Sequence, residues 1–257
     1  MPALSNTAGQ LQKGWFQPDW RLPQRVRAAV TIRRGGVSLG PYASFNLGAH
    51  VGDDPAHVAR NRELLCERLG LAQEPAWLQQ VHGTAVVSLP AAVPIPEADA
   101  SVCRTGGLAC AILTADCLPV LFCNDEGTVV AAAHAGWRGL LNGVLENTVR
   151  AMGCAPAVIR AWLGPAIGPD AFEVGSEVRE AFLQRDAQAQ LAFVLSERAG
   201  KYKADLYTLA RQRLHAVGVE RISGGGDCTY THPDRYYSFR RDTCCGRMAS
   251  LIWLQDG

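Results

Sequence analysis

The 257-residue sequence predicts a mixed α+β or layered α/β fold. Short runs rich in Ile, Leu and Val outnumber the helical patterns. One pair of runs is joined by a hairpin signal, and others alternate with helical stretches. Hairpins mixed with crossovers argue against a regular doubly wound sheet. No Ser/Gly linker, repeat or low-complexity segment interrupts the chain. A single domain over 1–257 is therefore expected, with 1–25 a loosely ordered or peripheral N-terminal segment. A hydrophobic content of 48% against 19% charged residues supports a substantial core.

The elements follow in order. Val26–Arg33 reads as a strand ending in a Gly35-Gly36 turn. Asp54-Pro55 starts a helix, because Asp is a good N-cap and Pro suits the first helical position. Val58, Leu64, Leu65 and Leu69 form its apolar face, and Gly70 stops it. Trp77–Val81 reads as a strand that delivers His82 at its end. Ala109–Thr114, Leu118–Cys123 and Thr128–Ala133 read as buried strands, the last two joined by a hairpin at Asn124-Asp125-Glu126-Gly127. Leu140, Leu141, Val144, Leu145, Val149 and Met152 recur at helical spacing before Gly153. Val158–Leu163 is another strand, Ser176–Gln188 and Ala204–Val217 are helices, and Met248–Leu254 is a closing strand.

Formal net charge is +1, with no basic run and no acidic tail, so neither nucleic acid nor a membrane surface is an expected partner. No apolar run reaches bilayer length. Met1 to Gln12 lacks a basic segment followed by an apolar one, so no secretory signal is expected. Nine cysteines, an odd number without a CxxC pair, read as reduced thiols of a cytoplasmic protein, mostly small buried hydrophobes.

Three residues carry the chemistry. His82 lies in Gln80-Val81-His82-Gly83, Cys117 in Ala115-Asp116-Cys117-Leu118-Pro119, and His134 in Ala133-His134-Ala135-Gly136-Trp137-Arg138. Two imidazoles and one thiolate make a catalytic zinc ligand set that leaves a tetrahedral position open. Cys117 falls at a break between two strands, and His134 where a strand ends before a helix, both places where a rigid scaffold holds functional groups. The spacing, 82 to 117 to 134, is longer than that of a zinc finger. Spacing alone leaves open a metal site or three hydrogen-bonded core residues.

Further motifs surround the trio. Asn46-Leu47-Gly48, Gly52-Asp53-Asp54-Pro55, the three segments above, Gly226-Asp227-Cys228-Thr229-Tyr230 and Arg247-Met248-Ala249-Ser250-Leu251 occur in this order. Together they resemble the YfiH/laccase-domain family, also called the multicopper polyphenol oxidase family, from about Thr31 to Leu254. The resemblance implies two mixed β-sheets packed together with helices outside, in α/β/β/α layers. It implies zinc at His82, Cys117 and His134. It also implies a purine nucleoside enzyme that phosphorolyses adenosine, inosine and related nucleosides and deaminates adenosine. One bacterial branch is tied to peptidoglycan editing, and older descriptions of the family are of polyphenol oxidases.

On this reading Cys117, Asp116 and His134 are the catalytic candidates. Asp116 serves as a proton shuttle, or else orients a ligand or caps a turn. Nucleoside and phosphate are the expected small-molecule partners, bound by a monomer or small homo-oligomer. Arg33, Arg138, Arg240 and Arg241 are candidate phosphate contacts, since guanidinium binds phosphate bidentately; each could equally be a surface ion pair. Arg33 and Arg240 are favoured because they lie in motif-like segments. Asn46 binds substrate or shapes the turn at Gly48. The Gly224-Gly225-Gly226 run offers backbone N–H groups or a tight turn, and Trp137 stacks on a base or packs in the core. His50 and His57 are expected outside the metal shell.

Three rivals remain at this stage. A conventional multicopper laccase needs many His-x-His pairs; this chain has six His and no such pair, so copper would be adventitious at one Cys/His site. A metal-free cysteine amidase on peptidoglycan precursors would use Cys117 as nucleophile and His134 as base. A non-catalytic scaffold would close the site with a fourth ligand, for which Cys228 is the candidate.

Overall fold

Period-2 alternation decides the architecture. The computed structural model describes residues 14–256. Its strands are β1 (Trp15–Phe16), β2 (Val26–Thr31), β3 (Val86–Leu89), β4 (Ala100–Cys103), β5 (Cys110–Thr114), β6 (Leu118–Asn124), β7 (Val130–Ala135), β8 (Ile159–Leu163), β9 (Glu173–Gly175), β10 (Phe193–Leu195), β11 (Lys201–Ala204), β12 (Arg221–Gly224) and β13 (Met248–Leu254). Its helices are α1 (Pro55–Leu69), α2 (Trp137–Asn142), α3 (Val144–Ala151), α4 (Ser176–Arg185), α5 (Leu206–Ala216) and the single turn α6 (Phe239–Asp242).

A four-stranded sheet runs β1-β2-β13-β5 and a six-stranded sheet runs β12-β8-β6-β7-β4-β3. In β5, Cys110 and Ile112 face the six-stranded sheet, whereas Ala111 and Leu113 face outward. In β6 and β7, Leu121, Cys123, Val130 and Ala132 point inward to meet them. Leu118, Val120, Phe122, Ala131 and Ala133 point the other way. Apolar residues on both faces of a strand need cover on both sides. Leu65 of α1, with Phe45 and Trp77, covers the four-stranded sheet. Leu145 and Val149 of α3 and Leu209 and Leu214 of α5 cover the six-stranded one. The result is the α/β/β/α layering that the family resemblance implies.

Several details differ from the sequence expectation. The six-stranded sheet is mixed, with parallel pairs β12/β8 and β3/β4 at its edges, but the four-stranded sheet is antiparallel throughout. A small third sheet, β10-β11-β9, was not legible because its strands are short and half-exposed. Trp77–Val81 is extended but forms no strand; only isolated bridges at Ala76 and Gln79 hold it. The Gln80 side chain replaces the missing ladder, donating to the Leu113 carbonyl at 2.9 Å and accepting the Leu113 N–H at 2.8 Å. The helical pattern from Leu140 to Met152 is split at Gly143, whose φ of 104° cannot continue a helix. α4 stops at Arg185, and a 3-10 turn over Ala187–Ala192 takes up the rest of its expected length.

Residues 1–13 of the expected peripheral segment lie outside the described residues. The remainder of that segment packs: Trp15 and Phe16 pair with Thr31 and Val30, and Trp20 and Leu22 sit against the inter-sheet core. No helix among the described residues is long and apolar enough to cross a membrane. All nine cysteines are free.

Candidate metal centre and cavity

The two sheets are joined where β5 of one hands over to β6 of the other, and Cys117 sits on that crossing. Asp116 makes the turn with a φ of 86°, a left-handed conformation that Asp tolerates better than most residues. His134 lies near the end of β7 and shares the inward parity of Val130 and Ala132, so it points between the sheets. His82 lies on the loop after the Gln80 clasp, with a φ of 60°.

Asp99 holds these parts together. Its carboxylate is fully buried, and it accepts the backbone N–H groups of Val81, His82 and Gly83 at 3.2, 2.9 and 2.6 Å. The same carboxylate lies 2.8 Å from Nδ1 of His134. That contact leaves Nε2 of His134 to face the site, the arrangement that orients a metal-ligating imidazole. Burial alone would raise the Asp99 pKa; the His134 contact and the backbone donors outweigh it and hold the carboxyl below its ordinary range.

One donor atom each from His82, Cys117 and His134 lies within 4.8 Å of the others, and His82 Nε2 is 3.8 Å from Cys117 Sγ. The two imidazoles meet edge-on, with centroids 4.8 Å apart at 68°. A four-coordinate ion with bonds of about 2.0–2.3 Å needs donors roughly 3.3–3.8 Å apart, within reach of small side-chain rotations here. Gly136 keeps the space clear: a Cβ there would lie 2.9 Å from His82 Cδ2 and 3.0 Å from Cys117 Sγ. Burial opposes ionisation of Cys117, but the charge and hydrogen bonds of His134, together with His82, pull its pKa down. The same pairing, with Asp99, pushes His134 up against its own burial. The pair thus favours a thiolate beside a protonated imidazole, and a metal taking both ligands would displace the His134 proton. These residues fit a soft or borderline ion, and they can hold one.

A cavity of about 330 Å³ opens over the trio. Besides the three ligands and the end of β5, it is lined by His50, Gln80, Phe239 and Arg247. Burial lowers the His50 pKa, and the charges of Arg247, Arg62 and His134 add to the effect, so this end of the cavity is electropositive.

The other sequence candidates lie elsewhere. Asp116 does not line the cavity; its carboxylate accepts from Thr229 Oγ1 at 2.6 Å, Ser238 Oγ at 3.0 Å and the Arg240 N–H at 2.7 Å. With these donors on both oxygens, it ties together the segments that carry Thr229, Ser238 and Arg240. Arg33 donates to the carbonyls of Ala43 and Pro233 and lies over Tyr237. Arg138 lies over Trp137, which packs against the outer core. Arg240 donates to the Glu173 carbonyl and lines a separate cleft, and Arg241 is spent on the carbonyls of Thr229, Tyr230 and Tyr236. Asn46 is buried and ties Gly48, Asp53 and Arg247 together. His57 sits by Asp53, and Cys228 accepts the Gly168 N–H, so neither joins the trio.

Sequence reasoning missed Asp99, Gly136, His50, Gln80, Phe239 and Arg247. A signal existed for Asp99: a carboxylate between Ala98 and Ala100, entering an apolar strand, is costly unless paired. Arg247 lay inside a recognised motif, but nothing local marks where its side chain goes.

Over residues 27–255 the sequence matches the family described as multi-copper polyphenol oxidoreductase laccase. The chain belongs to this family. It is 56% identical over 242 residues to a purine nucleoside phosphorylase of Pseudomonas aeruginosa, covering 94% of this chain and 99% of the relative. Identity to the purine nucleoside phosphorylase YfiH of Escherichia coli is 57% over 238 residues, covering 92% and 97% of the two chains. The crystal structure of Neisseria meningitidis protein NMB0706 superposes with a TM-score of 0.89 at 51% identity, covering 95% of this chain and all of that one. Despite the copper in the family's description, this laccase-family member has one three-residue cluster able to hold a metal among the described residues.

Proposed function

We propose that this chain is a zinc-dependent purine nucleoside phosphorylase acting on adenosine, inosine and related nucleosides. The observation that carries the reading is the convergence of His82, Cys117 and His134 beneath one cavity, with Asp99 holding two of the three. Relatives that match over nearly their full length and bear this activity in their names support it. A donor set of two imidazoles and one thiolate with an open position suits a catalytic zinc.

When bound, the ion supplies Lewis acidity at the floor of the cavity. His82 and His134 would hold it through Nε2 and Cys117 through Sγ, and the Asp99 contact at Nδ1 leaves Nε2 of His134 free to do so. The cavity walls exclude water and orient the nucleoside. A phosphate oxygen bonds to C1′ of the ribose as the C1′–N9 bond breaks. The electron pair goes to the purine, which takes up the proton that hydrogenphosphate gives up. Adenosine deamination, in which water adds at C6 of the purine and ammonia leaves to give inosine, is the second activity we assign to the same cavity. Nine free thiols and no disulfide suit a reducing, cytoplasmic setting.

Metal analysis of the purified protein, then chromatography of adenosine and inosine with and without phosphate, tests the reading. One zinc per chain is expected, with adenine and hypoxanthine forming in a phosphate-dependent way and ceasing on chelation. Activity that survives full metal removal would favour a Cys117–His134 nucleophile–base pair instead. Failure of any purine base or deaminated product to appear would defeat the nucleoside reading.

A further inference from the structure

The recognised motifs Asn46–Gly48, Gly52–Pro55 and Arg247–Leu251 hold no metal ligand, yet they converge on one side chain. Asn46 Oδ1 accepts the backbone N–H of Arg247 at 2.9 Å and that of Gly48 at 2.9 Å. Asn46 Nδ2 donates to Asp53 at 2.9 Å, and Asn61 of α1 donates to the Asn46 carbonyl at 2.9 Å. The Arg247 stem passes directly over Gly48, where a Cβ would come within 2.8 Å of Arg247 Cγ. At the far end, Nη1 is fixed by the carbonyls of Cys245 and Gly246 at 2.9 and 3.0 Å. Phe239 flanks the guanidinium, its ring centroid 5.7 Å from Cζ.

This is much construction for one arginine. Arg247 lines the cavity over the candidate trio, as does the Phe239 ring beside its guanidinium, and no carboxylate lines that cavity with them. Among the described residues no ion pair engages Arg247, and its hydrogen bonds use only Nη1 of the guanidinium. A half-buried cation without a counter-charge, facing a cavity with free donors, is a receptor for an oxyanion.

We propose that Arg247 is the phosphate-binding residue of this cavity and that Asn46 is its positioning residue. The assignment rests on the phosphorylase reading for the role of the anion, though not for its binding. Phosphate held at this wall is presented to a nucleoside lying over His82, Cys117 and His134. Arg33, Arg138 and Arg240 do not line this cavity.

The test uses the full-length, metal-loaded protein and Arg247→Gln and Arg247→Lys variants, each checked for metal content and melting temperature. Isothermal titration with inorganic phosphate reads binding without turnover, and phosphorolysis of inosine reads the KM values for phosphate and nucleoside separately. For Arg247→Gln, phosphate affinity should fall by about tenfold or more, and the phosphate KM should rise to match, with the inosine KM within about twofold of wild type. Arg247→Lys should fall between, because it keeps charge and loses the fork. Absence of phosphate binding by the wild-type protein overturns the inference. So does a phosphate KM unchanged in Arg247→Gln, or equal rises in both KM values, the mark of a purely structural arginine. Phosphate binding that depends on Arg247 without any phosphorolysis sinks the phosphorylase reading and leaves the anion site standing.

Discussion

The two ends of the cavity are built by different physics. The metal end hangs mainly on strand ends, with Cys117 on the β5–β6 crossing, His134 in β7 and Asp99 just before β4, while His82 sits on a loop that the Asp99 carboxylate clamps. Its bonds are few, buried and charged. The arginine wall is built from segments near opposite ends of the chain, residues 46–53 and 239–247, laced by the Asn46 side chain, which bonds the Asp53 carboxylate and accepts the Gly48 and Arg247 backbone N–H groups. A sheet holds ligand atoms to a fraction of an ångström, as metal binding demands. Loops tolerate replacement more readily, so substrate preference can change while the metal site stays. Asp116 belongs to both: next to the ligand Cys117 in sequence, it ties down Ser238 and the first turn of α6, which carries Phe239.

The comparison breaks or sharpens by mutation. The largest effect is expected for Cys117→Ser, which should weaken metal binding by more than about a hundredfold and abolish phosphorolysis. Full metal content by elemental analysis would show that the trio is not the site. Asp99→Asn comes next. It keeps the shape but loses the charge facing His134, and a fall of about 10–100-fold in zinc affinity is expected in chelator competition. Phosphate binding at the arginine wall should be untouched; a parallel loss there would mean that the ends are not separable. Gly136→Ala should cost about tenfold in metal affinity, since its new Cβ crowds both His82 and Cys117. Normal affinity would mean that the loop yields easily. Asp116→Asn is the mildest. Losing one of its three hydrogen bonds should lower stability by about 1–3 kcal/mol in urea unfolding and raise the phosphate KM a few-fold at constant metal content. If metal content falls instead, Asp116 serves the metal end alone.

Much of the fold was legible because local signals agreed with tertiary packing. Asp54-Pro55 starts α1, with the Asp54 side chain accepting from the Ala56 N–H as an N-cap should. The Asn124–Gly127 hairpin and the β13 strand also stand where the patterns put them. The failures share a cause. Trp77–Val81 has the composition of a strand, but its partner groups are met by a glutamine side chain and single bridges, which no periodicity reveals. Gly143 splits a helix whose apolar spacing runs on undisturbed. In the site, the trio was readable from motifs. Which arginine reaches the cavity was not, because sequence displays a guanidinium without showing where it points: Arg247 lines the cavity, whereas Arg33 and Arg241 are tied to carbonyls away from it.

By itself, the sequence determined the alternating strands, the α1 cap, the family motifs and His82, Cys117 and His134 as the candidate trio, all matters of residue type and local order. Only the tertiary structure decided that Asp99 holds two of the three ligand segments, that Asp116 turns away from the cavity, and that Arg247 turns into it. The reason is that hydrogen bonds and burial join residues far apart in the chain, 201 positions between Asn46 and Arg247, and no local pattern encodes which distant partner a polar group will find.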